Sequence, residues 1–158
     1  RKHAPVFETA YILFMSPFFG SRGGACIEGE HVLTPQDVAA GRRFDDVVVS
    51  VAPQLRRKTG AREAGFDAPY RMMLPKGIDG LLACGRSASY IRRGHEPSFR
   101  RRAIAMLMGQ VAGTAAALAV HAGRTPRTLD VRSLQRRLLD DGLYLGDEAR
   151  LRELGLLP

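Results

Sequence analysis

The chain has 158 residues, 45% of them apolar and 25% charged, a composition of one soluble globular domain rather than a disordered or low-complexity segment. Its two cysteines, Cys26 and Cys84, lack metal-ligand spacing, argue against a disulfide framework and suit reduced thiols in the cytoplasm. The net charge of +8 is uneven: residues 1–53 hold five basic and six acidic side chains, the remainder nineteen and ten.

Residues 5–19 are strongly apolar, with Phe7, Tyr11, Leu13, Phe14, Met15, Phe18 and Phe19, and fit a buried helix or a buried strand equally. Pro17 and Gly20-Ser21-Arg22-Gly23-Gly24 break that run, and residues 25–33 read as a short strand. Thr34-Pro35-Gln36-Asp37 is a helix start, with threonine at the N-cap, proline at the first helical position and an acid at the third. Gly41 closes that short helix. Val47-Val48-Val49 places a strand over 46–51, and 53–66 read as an exposed loop. Tyr70 to Leu74 is expected as a second strand turned by Pro75-Lys76-Gly77, and Leu81 to Cys84 as a short strand covered on both faces.

A polar loop over 86–97 leads into a helix from Ser98 to His121, with Gly123 as its C-cap. Asp130 caps the next helix, whose Val131, Leu134, Leu138 and Leu139 form one apolar stripe before Gly142. Asp147 caps a last short helix ending near Gly155.

Ala103 to Val120 is eighteen residues without a charge, the minimum length of a membrane span. Seven of the eighteen are alanine, which gains little from lipid, and Gln110 and Thr114 interrupt the run. A helix buried inside an α/β protein is the better reading, and no membrane span is expected. Its small residues suit tight helix–sheet packing or close approach to a cofactor, and the helix N-terminus ahead of them favours an anion. Arginine clusters at Arg56-Arg57-Lys58, Arg92-Arg93, Arg100-Arg101-Arg102 and Arg136-Arg137 carry the surplus charge. Nucleic acid is not expected as a partner, because few aromatics and no recognition motif accompany them. Histidines 3, 31, 95 and 121 lack metal-ligand spacing.

From Pro69 onward the chain reads Pro69-Tyr70-Arg71, Leu74-Pro75-Lys76-Gly77, Gly80-Leu81-Leu82, Gly85-Arg86, Arg100, then Gly109-Gln110-Val111-Ala112-Gly113-Thr114-Ala115-Ala116-Ala117. Gly29-Glu30-His31-Val32-Leu33-Thr34, Asp37 and Gly41-Arg42-Arg43-Phe44-Asp45-Asp46 precede it, and Thr125-Pro126-Arg127 with Leu129-Asp130 follows. In this order the chain resembles the C-terminal segment of the FAD-dependent oxidoreductase family related to fumarate reductase and succinate dehydrogenase flavoproteins. The resemblance implies an α/β fold: a C-terminal fragment of a Rossmann-type FAD-binding domain plus part of a mixed α+β substrate domain. Residues 1–68 would lie on the substrate side, 69–123 in the FAD-binding domain and 124–158 in a helical extension.

It also implies FAD as cofactor and hydride transfer to or from a small organic substrate. Gly85 and Arg86 would lie near the ribityl–pyrophosphate part of FAD, and the backbone of Arg102, Ala103 and Ile104 at the flavin pyrimidine edge. In the loop facing the flavin, His95 is read either as a proton relay or carboxylate-orienting group, or as a solvated loop histidine. Arg100 is read either as a ligand for a substrate anion or flavin, or as a surface arginine. Arg22 is a weaker version of the same idea. Two stretches depart from the family pattern: Arg22-Gly23-Gly24-Ala25 replaces Arg-Glu-Thr-Arg, and Arg100-Arg101-Arg102-Ala103-Ile104 replaces Arg-Val-Met-Pro-Thr. The dinucleotide-binding pattern G-x-G-x-x-G does not occur in the sequence. An upstream FAD-binding segment or subunit is therefore an expected partner, and the isolated chain is expected to be inactive. The alternative is a non-catalytic basic module that keeps the flavoprotein scaffold and docks an acidic partner or nucleic acid.

Overall fold

The computed structural model describes residues 24–52, 54–55, 62–63, 65–91, 99 and 101–158, together with Tyr11, Leu13 and Met15. Those three side chains are exposed, and the rest of the apolar run 5–19 lies outside the described residues.

Helix α1, Pro35–Ala39, begins where the sequence places it. The Thr34 hydroxyl accepts from the Asp37 amide at 3.1 Å, and Asp37 Oδ2 accepts from the Thr34 amide at 3.0 Å. This reciprocal cap satisfies two of the N-terminal amides that a helix leaves unpaired. Gly41 takes the left-handed conformation, φ +59°, that ends the element.

Strand β1, Val47–Val51, pairs antiparallel with β4, Phe66–Pro69, aligning Val49 with Ala68, Ser50 with Asp67 and Val51 with Phe66. A bulge lies between Val47 and Val49. Between them, the expected loop contains a two-residue ladder: β2, Gln54–Leu55, against β3, Arg62–Glu63. The sequence shows no period here because so short a ladder needs none.

The expected strand over Tyr70–Leu74 is instead a 3₁₀ turn, Tyr70–Met73, and the strand sits upstream in β4. Asp46 causes the change. Its carboxylate accepts the Arg71 amide at 3.0 Å and grips the Arg71 guanidinium bidentately at 2.9 and 3.0 Å. The Tyr70 amide donates to the Asp46 carbonyl at 2.7 Å. A distant acid thus caps the turn, and tertiary contact overrides the local β preference.

The carbonyls of this turn then serve as a hub. Those of Arg71, Met72, Met73 and Leu74 accept from the amides of His31, Ser89, Ala83 and Glu30, at 3.3, 2.9, 2.9 and 2.9 Å respectively. Residues 25–33, expected as a strand, form only isolated bridges, Gly29 to Pro75 and Leu33 to Tyr90, because the segment crosses between two neighbours. Leu81–Cys84 is extended but belongs to no sheet among the described residues, and its expected two-sided cover is absent there. Leu81 is 47% exposed and the next three residues are only half-buried.

Helix α2, Arg102–His121, buries Ile104, Met108, Val111, Ala115 and Ala119 on one face. Met106, Gly109, Gln110, Gly113, Ala116, Ala117 and Val120 face outward. The helix is long and apolar enough to cross a membrane by length and composition alone, but only 28% of its apolar window is buried. Within this chain the helix expected to be buried inside an α/β protein is covered on one face. Gly123, φ +61°, ends it. Ser98 lies outside the described residues.

Helix α3, Val131–Asp140, is capped by Asp130, which accepts from the Arg132 and Ser133 amides. Its stripe carries Leu134 and Leu138 into the core, with Gln135 fully buried between them. The Gln135 amide donates to the carbonyls of Asp45 and Val47, both at 2.9 Å, tying α3 to the start of β1. Tyr70 donates to the Pro126 carbonyl at 3.0 Å, and burial pushes its phenol up to about 12.

Helix α4, Glu148–Glu153, is capped by Asp147. From it Arg150 reaches inward, donating to the Phe44 carbonyl at 2.7 Å and lying 3.6 Å from the buried Asp67 carboxylate. Asp67 also accepts from Arg43 at 3.1 Å and Ser50 at 3.2 Å.

Removing Arg150 takes one of two guanidiniums from the buried Asp67 carboxylate and its bond from the Phe44 carbonyl. Arg150→Met should therefore lower the unfolding free energy by about 3 kcal/mol, measured by urea denaturation. Gly29 is a tight backbone approach: a Cβ there would lie 2.7 Å from Ser89 Cβ and 3.2 Å from the Arg71 carbonyl oxygen. Gly29→Ala is expected to cost about 1–3 kcal/mol by overpacking, and adding Ser89→Gly should recover part of the lost melting temperature.

Candidate functional site

The extended segment ending at Cys84 turns sharply at Gly85, whose φ is +58°. A short 3₁₀ turn, Gly85–Ser87, follows. Glycine is needed for the backbone conformation itself, since a left-handed φ is costly for residues with a Cβ. An added Cβ would touch Ala105 Cβ at 3.7 Å, an ordinary contact. The first turn of α2 therefore sits directly against this buried glycine.

Among the described residues the N-terminus of α2 has no side-chain cap, Arg101 at the N-cap making none. Its first intrahelical bond runs from the Ala105 amide to the Arg101 carbonyl at 2.9 Å, so the amides of Arg102, Ala103 and Ile104 precede the helical ladder. Such amides, with the helix dipole behind them, favour an anion or an electron-rich ligand edge. The Ile104 side chain is core, leaving only its backbone for this role. Arg86, Arg102 and Ala103 are exposed.

Phe99 fixes the approach to the helix. It is fully buried, 5.6 Å from the Phe66 ring and 4.7 Å from the Tyr90 ring. On the other side, the Ile27 amide donates to the Ser87 carbonyl at 2.9 Å, so residues 24–28 run beside the glycine turn. Cys26 is exposed on that segment.

Of the residues singled out from the sequence, Gly85, Arg86, Arg102, Ala103 and Ile104 belong to these two adjoining elements. His95 and Arg100 lie outside the described residues, as does Arg22. Phe99, Gly29 and the Asp46–Arg71 fork were not anticipated. A lone aromatic between a polar loop and a helix is a weak signal for Phe99, whereas nothing local marks the other two. Among the described residues, no three His, Cys, Asp or Glu side chains gather as a metal cage.

A glycine turn against an uncapped helix N-terminus is compatible with a flat, electron-accepting cofactor. A family model described as FAD dependent oxidoreductase matches residues 1–138. The chain belongs to the FAD dependent oxidoreductase family, and FAD is the cofactor that this family implies. No curated protein and no solved structure matches the chain. The residues present fit part of FAD: backbone amides stand at the helix end, and Gly85 brings no side chain between its turn and α2.

Gly85→Ala should reduce stability by about 1–2 kcal/mol, the cost of a left-handed alanine, and weaken FAD binding by shifting the turn. Gly85→Asn, which tolerates that conformation better, should be milder in both. Thermal denaturation and flavin fluorescence titration of the FAD-competent protein check the pair.

Proposed function

We propose that the chain forms the flavin-side wall of an oxidoreductase related to fumarate reductase and succinate dehydrogenase flavoproteins. Hydride passes between FAD and a small organic substrate in this reading. The observation that carries it is the contact of the Gly85 turn with the first turn of α2, within a chain of the FAD dependent oxidoreductase family.

When bound, FAD supplies the hydride-accepting and hydride-donating chemistry. The amides of Arg102, Ala103 and Ile104 would hold the flavin pyrimidine edge and favour negative charge there. Gly85 and Arg86 lie along the ribityl–pyrophosphate portion. Arg100 binds a substrate carboxylate or the flavin, and His95 orients the substrate or relays a proton. Residues 1–68 form part of a substrate-side domain, and 69–123 the end of a Rossmann-type FAD-binding domain.

An upstream dinucleotide-binding segment, or another subunit, completes the site by holding the ADP half of FAD. Supporting this are the outward apolar face of α2 and the exposed Ile78 and Leu81. Both suit contact with protein, in what we read as a cytoplasmic enzyme. The alternative, a basic docking module, would rest on the arginine clusters, of which Arg137 is engaged by Asp141. The test is to combine the chain with a dinucleotide-binding segment and record the absorbance spectrum. Flavin bands in the purified complex support the reading, and a colourless complex overturns it.

Arg102→Pro probes the amide role directly. Arg101, at φ −64° and ψ 129°, already has the extended backbone that a following proline requires. The variant should keep its helix content while FAD affinity falls roughly tenfold, one charge-assisted hydrogen bond. Arg102→Ala, which keeps the amide, should bind FAD as the parent does; fluorescence titration distinguishes them.

A further inference from the structure

Residues 27–33 form a strap across the molecule. Ile27 donates to Ser87, Glu30 to Leu74, His31 to Arg71 and Leu33 to Ser89, and the Leu33 carbonyl accepts from Ile91. The strap joins the turn after β4 to the segment that begins with the Gly85 turn. His31 sits in its middle, edge-on to Phe44 with ring centroids 4.9 Å apart.

The His31 Nε2 atom is buried and makes no hydrogen bond. Asp37 Oδ2 lies 3.8 Å away, too far to accept one. That oxygen already accepts from the Thr34 amide at 3.0 Å and the Thr34 hydroxyl at 2.8 Å. The other Asp37 oxygen accepts from Arg42 at 2.9 Å. The charged groups facing the imidazole are Asp37 in α1, Arg42 just after it, Asp46 before β1 and Arg71 in the 3₁₀ turn. Two guanidiniums therefore stand near a site whose closest carboxylate is shared with the helix cap.

We propose that His31 is an acid-operated release for the strap: a solvent proton on the imidazole creates a cation whose nearest carboxylate oxygen, Asp37 Oδ2 at 3.8 Å, is already engaged by Thr34, and residues 27–33 withdraw to hydrate it. Neutral imidazole is accepted because its apolar edge packs on Phe44. The cation is not, unless Asp37 abandons Thr34 and uncaps α1. Either route loosens the same segment, and with it the contact from Ile27 to the Gly85 turn.

Burial holds the His31 imidazole below its ordinary value of 6.5, with Arg71 and Arg42 acting in the same direction and Asp37 and Asp46 opposing. A released histidine binds its proton more readily, so the released state holds more protons. The strap is fully held above pH 6.5 and progressively lost as pH falls through the folded value. This device goes beyond the cofactor reading and stands without it.

Amide hydrogen exchange on the 158-residue protein at about pH 7.5 and about pH 5.5, corrected for intrinsic rates, tests it. Protection at Ile27, Glu30 and Leu33 should drop at the lower pH, while amides in α3 hold theirs. His31→Phe keeps the ring contact with Phe44 and removes the titration, so its protection should not change between the two conditions. Equal acid loss in His31→Phe and the parent overturns the proposal. Should that variant not fold, imidazole NMR of the parent decides: titration below 6.5 coinciding with strap exchange supports the release, and titration at or above it overturns it.

Discussion

One carboxylate directs the path of the chain around the site. Asp46, just before β1, holds the amide and guanidinium of Arg71 together and curls the chain as it leaves β4. The pair is partly exposed, so its value lies in geometry more than in Coulomb energy. What it fixes is the direction of four consecutive carbonyls, 71 to 74. Each of those carbonyls accepts from a different place in the chain, namely residues 31, 89, 83 and 30. Segments far apart in the chain are thereby held in one arrangement.

The elements of the candidate site follow from that arrangement. Ala83 and Ser89 hang on the hub on either side of Gly85, which leaves the glycine turn little freedom to drift. Helix α2 meets the turn through Ala105, while Phe99 anchors the chain just ahead of the helix. On the opposite side, Arg127 binds Glu30, Asp79 and the carbonyls of Pro75 and Ile78, drawing the loop after the hub onto the α2–α3 connection. Rigid support of this kind suits a family whose cofactor must be approached closely by backbone atoms.

How much of this was legible depended on whether a signal was local. Thr34, Asp130 and Asp147 announced their helices, because a cap lies within three residues of the amides it serves. The valines of β1 were equally plain. Tyr70–Leu74 was misread because the residue that curls it, Asp46, lies about 25 positions away. The same holds for residues 25–33, whose partners belong to two other segments. Gly85 and the α2 entrance could be marked from the sequence only through family resemblance, since glycine before a loop has many uses. Their mutual contact is a product of packing. The one-sided burial of α2 was not visible either, because alanine and glycine suit solvent, protein and cofactor alike.

The Arg150 contact has a consequence for how the polypeptide acquires its shape. Phe44 and Arg150 are 106 positions apart, so a ribosome releases β1 and β4 long before the guanidinium that covers Asp67. Until then that carboxylate has Arg43, Ser50 and the Phe44 amide as partners. The carboxylate beside the sheet accordingly receives its last partner only when the chain has grown as far as α4.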